Sequence, residues 1–542
     1  MIAVKKRKMS GAVKNILLPY NKKVWLLCGM ALANALLQVV FALLSRNVVD
    51  SALAGGADLA VWGVLLVVVV AAMAVLYALQ NWIAGSTTDR CVARLRYAIL
   101  ESTVYRNDTD LREYHSGQLL SRSMEDVHTV CDGYVTLLPS AVGQVARLVG
   151  SFVAVLVLYP PLALLVAMAA VLLVLVISVV RPVLKRHHAK VRKQDEKAMA
   201  QLQEDLQQLE LIQSMCAQEA ILKRFSHRLD RNLETRDKRR RWTMGYGTLI
   251  VSAAQVATAV TLLWGAGLTA QKVLSYGTLT AMLQLLNLLR SPVVSLSGLM
   301  GRITGMEVAA QRIEGLLKTP HKTEPVHFDG VKAVVFEDVT FAYPGDAQPV
   351  LAHFSARFPL DGWVCLTGVS GRGKTTLFKL MLGLYTPQSG RIYLQTAEGE
   401  VLCSPQTRHV FAYVPQDYVL LSGTVLENLQ LVAPDATRQQ RQEALQLAGA
   451  DFVQALSAGE NTPVRENNAG LSKGQLQRLA IARALLTQRP VLLLDECTSA
   501  LDAATERTVL QNLQSTGKTA LLVSHHPEAL GDTVQKFPLD QV

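Results

Sequence analysis

Gly368-Val369-Ser370-Gly371-Arg372-Gly373-Lys374-Thr375 spells G-x-x-x-x-G-K-[ST], a spacing suited to holding phosphate. Trp363–Thr367 before it reads as a short buried strand, and Thr376–Leu382 after it carries helical spacing. In that setting glycines let backbone N–H groups converge on an anion, and the helix N-terminus adds its positive dipole end. Lys374 would reach the β- and γ-phosphates and the Thr375 hydroxyl would ligate Mg²⁺. Gly368, Ser370, Gly371, Arg372, Gly373 and Thr376 complete the cradle.

Four further stretches supply chemistry. Val491–Glu496 is an apolar strand ending in two acids, at the ligand side of an open α/β sheet. Asp495 can hold Mg²⁺, directly or through water, and Glu496 can polarise the attacking water as general base. Leu521–Val523 leads to Ser524 and His525, whose imidazole could touch the γ-phosphate. Val414-Pro415 leads to Gln416, an amide able to reach Mg²⁺ or water. Ser472, Gly474 and Gln475 precede a helix at Leu476–Leu486 and form a second anion-binding cap. One nucleotide already has its cradle in the first loop. The economical solution is a head-to-tail dimer, each nucleotide lying between one chain's cradle and the other chain's Ser472.

These residues occupy the second part of a 542-residue chain that is 50% hydrophobic with a formal net charge of +11. The apolar residues of the first part fall in long runs that read as membrane spans. There are six, near Val24–Leu44, Val61–Trp82, Val135–Leu158, Leu162–Val180, Tyr246–Ala270 and Tyr276–Leu299. Ser45–Ala60, Tyr159–Pro161 and Gln271–Ser275 are short connections with few cations. Asp89–Asp132 and Arg181–Arg241 are long and rich in Arg and Lys, which puts them in the cytoplasm with the N-terminus and the phosphate loop. The basic excess therefore needs no nucleic acid. Seven scattered cysteines without C-x-x-C pairs argue against a disulfide framework or a zinc site.

Both long connections carry helical periodicity and should project the bundle beyond the membrane. Each should reverse near its middle, with a short transverse helix over Gly117–Val127 and another near Leu211–Gln218. Such tips are candidates for docking or simply solvated hairpins. Val13–Leu18 should lie flat on the membrane surface as an elbow. Within the spans, Gln144, Arg147, Gln255, Gln284, Asn287 and Arg290 are polar at depth and are the candidate substrate residues. They favour a water-accessible cavity, although Gln255 and Gln284 could equally hydrogen-bond between helices. Pro292 should kink the sixth span.

On these motifs the second half resembles the ATPase domain of an ABC transporter, and the first half resembles the six-helix domain of ABC exporters. Gly368–Thr375 is similar to Walker A, Val491–Glu496 to Walker B, and Leu471–Gln475 to the signature, with Lys473 where glycine is usual. Gln416 matches the Q-loop, Ser499–Asp502 the D-loop, His525 the switch histidine, and Tyr343 the residue that stacks on adenine. The resemblance implies a multidomain fold, an all-α six-helix transmembrane domain (1–318), a linker (319–331) and an α/β P-loop ATPase domain (332–542). It also implies ATP and Mg²⁺ as cofactors, catalytic roles for Lys374, Gln416, Glu496, Asp502 and His525, and a multi-pass place in the bacterial cell (inner) membrane with a cytoplasmic ATPase domain. The partners implied are membrane lipid, a small-molecule, peptide or lipid cargo, and either a second copy or a related half-transporter. Arg465 replaces a usual glycine, and the chain ends about seventeen residues after His525, where the family usually carries terminal helices. ATP-driven export of a peptide or of an amphipathic or anionic small molecule is the expected activity; lipid flipping and an ATP-gated channel or sensor are the alternatives.

Overall fold

The computed structural model describes residues 11–56, 58–106, 122–317, 324–328, 330–346, 348–369, 371–416, 420–464, 470–524 and 534–539. The chain divides into two compact units, a helical one that includes residues 1–99 and 120–318 and an α/β one that includes residues 319–542.

The helical unit opens with α1 (Gly11–Leu17), followed by α2 (Asn21–Leu53) and α3 (Leu59–Val104). After a π-helical turn at Arg122–Asp126 come α4 (Val127–Leu158), α5 (Pro160–Gln207), α6 (Leu209–Ser214), α7 (Gln218–Ala270) and α8 (Tyr276–Glu314). All six expected spans lie on these long helices. Four stretches, Gly11–Leu53, Leu59–Val104, Arg122–Leu158 and Gln218–Ala270, are long and apolar enough among the described residues to cross a bilayer.

Several local expectations change. The elbow does not simply lie on a surface: Val13 and Leu17 of α1 are fully buried, and Tyr134 donates to the Leu17 carbonyl at 3.2 Å and to the Asn21 side chain. The first part of the transverse helix expected at Gly117–Val127, residues 117–121, falls outside the described residues; Arg122–Asp126 runs straight into α4 at Val127. The second reversal is present as α6. Pro292 lies inside α8.

Close approach in this unit depends on small residues. A Cβ on Gly143 of α4 would stand 3.3 Å from Ala31, and one on Gly150 would stand 3.2 Å from Val39, so α4 and α2 meet backbone to side chain. Beyond the apolar stretches the glue is polar. Asp195 of α5 accepts from Asn232 and Arg236 of α7, each at 2.7 Å, and Asp205 accepts from Arg224 at 2.7 Å. At the opposite ends, Asp50 of α2 accepts from Ser275 and from the Gly277 N–H at the start of α8, each at 2.8 Å.

The α/β unit contains an antiparallel sheet of β1 (Val331–Phe341), β2 (Leu351–Pro359), β4 (Ser389–Thr396) and β5 (Glu400–Leu402), in the order β2-β1-β4-β5. Its parallel sheet has the order β11-β3-β10-β9-β6, built from β3 (Trp363–Thr367), β6 (Phe411–Val414), β9 (Val491–Asp495), β10 (Thr519–Val523) and β11 (Gln535–Pro538). β7 (Gly423–Thr424) pairs with β8 (Pro463–Val464). Apart from one short turn of helix at Phe452–Ala455, the described α-helices here are α9 (Lys374–Met381), α10 (Val425–Gln430), α11 (Arg438–Leu447), α12 (Lys473–Leu486) and α13 (Ala503–Ser515).

Alternation along the parallel strands explains their unbroken apolar runs. Leu492 and Leu494 of β9 enter one core with Leu522 and Cys365, whereas Val491 and Leu493 enter another with Leu521, Val523, Val364 and Leu366. A sheet covered on both faces needs apolar residues at every position. It also brings the carboxyl ends of β3, β6, β9 and β10 to one edge, where the chemistry-bearing residues follow.

Candidate nucleotide site

β3 ends at Thr367, and the loop bends through Gly368 (φ +146°), Gly371 (φ +87°) and Gly373 (φ +84°). Gly373 is the N-cap of α9 in the left-handed region, without a side-chain cap, so the first amides of α9 are not satisfied by a capping side chain. A Cβ there would also meet Val350 and Leu351 at 3.1 and 3.2 Å. Lys374 is buried, and its ammonium donates to the carbonyls of Gly368 (2.7 Å) and Val369 (3.1 Å). The lysine is thus folded across the mouth of its own loop, its charge satisfied by carbonyl dipoles that a phosphate would outcompete. Ser370 lies outside the described residues. Arg372 follows Gly371 on the exposed rim of the loop.

Asp495 closes β9 and is completely buried. Burial pushes its carboxyl above the usual range; the Glu496 charge adds to the rise, while hydrogen bonds from Thr375 and Tyr413 oppose it. Tyr413 donates to Oδ2 at 3.4 Å, and Oδ1 is a buried oxygen without a partner among the described residues. An acid buried with one orphaned oxygen beside a hydroxyl fits a divalent cation. Asp495 and Thr375 would hold Mg²⁺, with Gln416 within reach of the same edge, and the ion would neutralise charge on bound phosphate.

Glu496 follows with φ +50°, a left-handed conformation that non-glycine residues seldom adopt. Its carboxylate accepts from Gln416 Nε2 at 2.8 Å, so the structure joins the expected base and the expected amide directly. Tyr343 and Thr376 are also brought together, their hydroxyls 2.9 Å apart, while the Tyr343 ring meets Phe341 and Tyr385 edge-on. His525 and Arg465 lie outside the described residues.

Ser472 is the N-cap of α12. It accepts from the Gln475 N–H, and Gln475 returns the bond to the Ser472 N–H at 2.8 Å, a reciprocal capping box. Gly474 packs against Ala500 and Leu501, and Lys473 is exposed at the first turn. Asp502 acts close to its own place in the chain, where its carboxylate caps α13 by accepting from the N–H groups of Ala504 (3.2 Å) and Thr505 (3.0 Å). The Thr505 hydroxyl bond is the main cause holding its carboxyl below the usual range.

The six polar span residues do not share one environment. Gln144, Arg147 and Gln284 are half-buried, Gln255 and Asn287 are exposed, and the Arg290 side chain lies outside the described set. The side-chain oxygens of Gln144 and Gln284 have no partner among the described residues.

One residue escaped the sequence reading. Gln477 of α12 is fully buried and bonds to Glu496, Ser499 and Ala500. The only signal in the sequence is an amide on a helix face otherwise apolar.

A P-loop between β3 and α9, a buried acid at the end of β9 and a capped helix start define an ABC-type ATPase fused to a bundle of long apolar helices. Residues 24–293 match the ABC transporter transmembrane region, and residues 351–499 match the ABC transporter family model. An ATP-dependent lipid A-core flippase of Chromobacterium violaceum is 31% identical over 466 residues, 82% of this chain and 78% of its own length. A mitochondrial potassium channel ATP-binding subunit of Mus musculus is 28% identical over 452 residues, 81% of this chain but 62% of that protein. A probable multidrug resistance ABC transporter ATP-binding/permease protein of Bacillus subtilis is 26% identical over 472 residues, 85% of this chain and 70% of its own. The solved structure of a bacterial Atm1-family ABC exporter with ATP bound shares the fold, with a TM-score of 0.78 and 21% identity over 96% of this chain and 94% of that one. The chain belongs to the ABC transporter family, with the membrane region and the ATP-binding domain in one polypeptide.

Proposed function

We propose that the chain is one half of a dimeric exporter that hydrolyses ATP to move a solute out across the bacterial cell membrane, its ATPase unit on the cytoplasmic side. Asp495 carries the reading: a completely buried carboxylate with an orphaned oxygen, next to Thr375 and followed by Glu496, makes sense where a cation and phosphate complete it. Lys374 leaves the Gly368 and Val369 carbonyls to bind the β- and γ-phosphates. Glu496 takes a proton from the attacking water, with Gln416 releasing or sharing the carboxylate it now holds. Ser472 of a partner copy faces the far side of the nucleotide, and closure of the paired ATPase units turns the membrane cavity outward; hydrolysis resets it.

Cargo is the finer question. Uncompensated amides at Gln144 and Gln284 favour an amphipathic or peptide solute, whereas the name of the Chromobacterium relative favours a lipid. ATPase stimulation in proteoliposomes across peptides, lipids and drugs separates the two. In the same membranes Glu496→Gln should bind ATP, lose turnover and accumulate as a closed dimer. Hydrolysis at the wild-type rate by that variant would contradict the assignment.

A further inference from the structure

Gln477 sits on the buried face of α12 with no exposed surface. Its Nε2 donates to Ser499 Oγ at 3.1 Å and to the Glu496 carbonyl at 3.4 Å, and its Oε1 accepts from the Ala500 N–H at 3.0 Å. A buried amide without partners is costly, so this side chain is tolerable only because of those bonds.

What the bonds hold is unusual backbone. Glu496 lies at φ +50°, and such a conformation persists only where the surroundings over-determine it. Its N–H donates to the Val523 carbonyl at 3.2 Å, and its own carbonyl accepts from the Ser499 N–H at 3.2 Å as well as from Gln477. One turn earlier on α12, a Cβ on Gly474 would stand 3.0 Å from the Ala500 carbonyl and 3.1 Å from Leu501. At this point the start of α12 packs closely on Ala500 and Leu501.

We infer that Gln477 is a positioning residue for ATP hydrolysis. It aims the Glu496 carboxylate by fixing the strained backbone beneath it, and it makes Glu496 and the Asp502 turn one body with the helix start capped by Ser472. This last part rests on the dimer reading above. There, the Ser472 start faces the partner's nucleotide, so Gln477 ties the acid of one site to the cap of the other.

The test uses the full-length chain in lipid nanodiscs. Gln477→Leu removes every bond at similar volume, and Gln477→Glu keeps the acceptor for Ala500 but loses the donor to Glu496. Ser499→Ala removes one partner at an exposed position. Turnover and KM for ATP, affinity for a fluorescent ATP analogue and unfolding temperature are measured for each. The expected result is turnover lowered about 10–100-fold in both Gln477 variants, the scale of a misplaced catalytic group, with KM and analogue affinity near wild type. Ser499→Ala should lose only a few-fold, and adding it to Gln477→Leu should change nothing further, because both act through one contact. Wild-type turnover in Gln477→Leu, or a loss carried by KM and unfolding temperature alone, overturns the inference. Glu496→Gln runs alongside: if it hydrolyses normally the ATPase reading fails, and if it is silent while Gln477→Leu turns over normally only the positioning role fails.

Discussion

The two helix starts of the ATPase unit, at Gly373 and at Ser472, are built on opposite plans. α9 begins at a left-handed glycine with no side-chain cap, beside a lysine folded onto loop carbonyls. α12 begins at a serine locked in a reciprocal box with Gln475. The first start leaves its donors to a ligand and has a cation ready; the second is already satisfied by its own side chains. A start of the first kind binds phosphate alone. One of the second kind gains only when a phosphate is pressed onto it, which is the part the proposed pairing of chains would play.

The largest effect should come from Asp495→Asn, which removes the cation ligand: turnover should fall at least about 100-fold. The same substitution should stabilise the nucleotide-free chain at neutral pH. The folded Asp495 pKa is raised, so its stabilising contribution is present below the unfolded value and lost as pH rises through the folded one. Unfolding temperature against pH, for wild type and variant, checks the sign; a variant less stable than wild type at neutral pH would refute it. Next, Lys374→Ala should lower affinity for a fluorescent ATP analogue about 10–100-fold, the scale of a bond between a cation and a charged acceptor, whether or not chains pair. Gly474→Ala should spare that affinity and reduce turnover several-fold, because its methyl pushes α12 off Ala500. Ser472→Ala should be the mildest in fold stability, costing about 1 kcal/mol as a lost cap in a denaturant titration, while single-chain nucleotide affinity stays unchanged. Equal losses of affinity in Lys374→Ala and Ser472→Ala would erase the contrast between the two starts.

Much of this was legible because each motif is local. The strand Trp363–Thr367, the glycines after it and the capping pair Ser472 and Gln475 lie within a few residues of the partners that explain them, whereas the acids at the end of β9 were legible from their place after an apolar run and meet Tyr413 and Gln416 only on folding. What sequence did not reveal depends on residues far apart. Gln477 acts on Glu496, Ser499 and Ala500, which only folding brings beside it. Val13 and Leu17 read as a surface stripe until Tyr134 of α4 meets the end of their helix. Asp502, given a catalytic role by resemblance, also caps α13, a local bond that the resemblance did not mention. The polar span residues were found by depth alone, and depth does not say which face of a helix is wet.

The account depends on each site being shared between two chains, and mixed dimers test that most directly. A dimer pairing Lys374→Ala in one chain with Ser472→Arg in the other should keep one intact site and trap one ADP with vanadate. A dimer carrying both substitutions in one chain, beside a wild-type partner, should trap none. Equal trapping in the two arrangements would contradict the account.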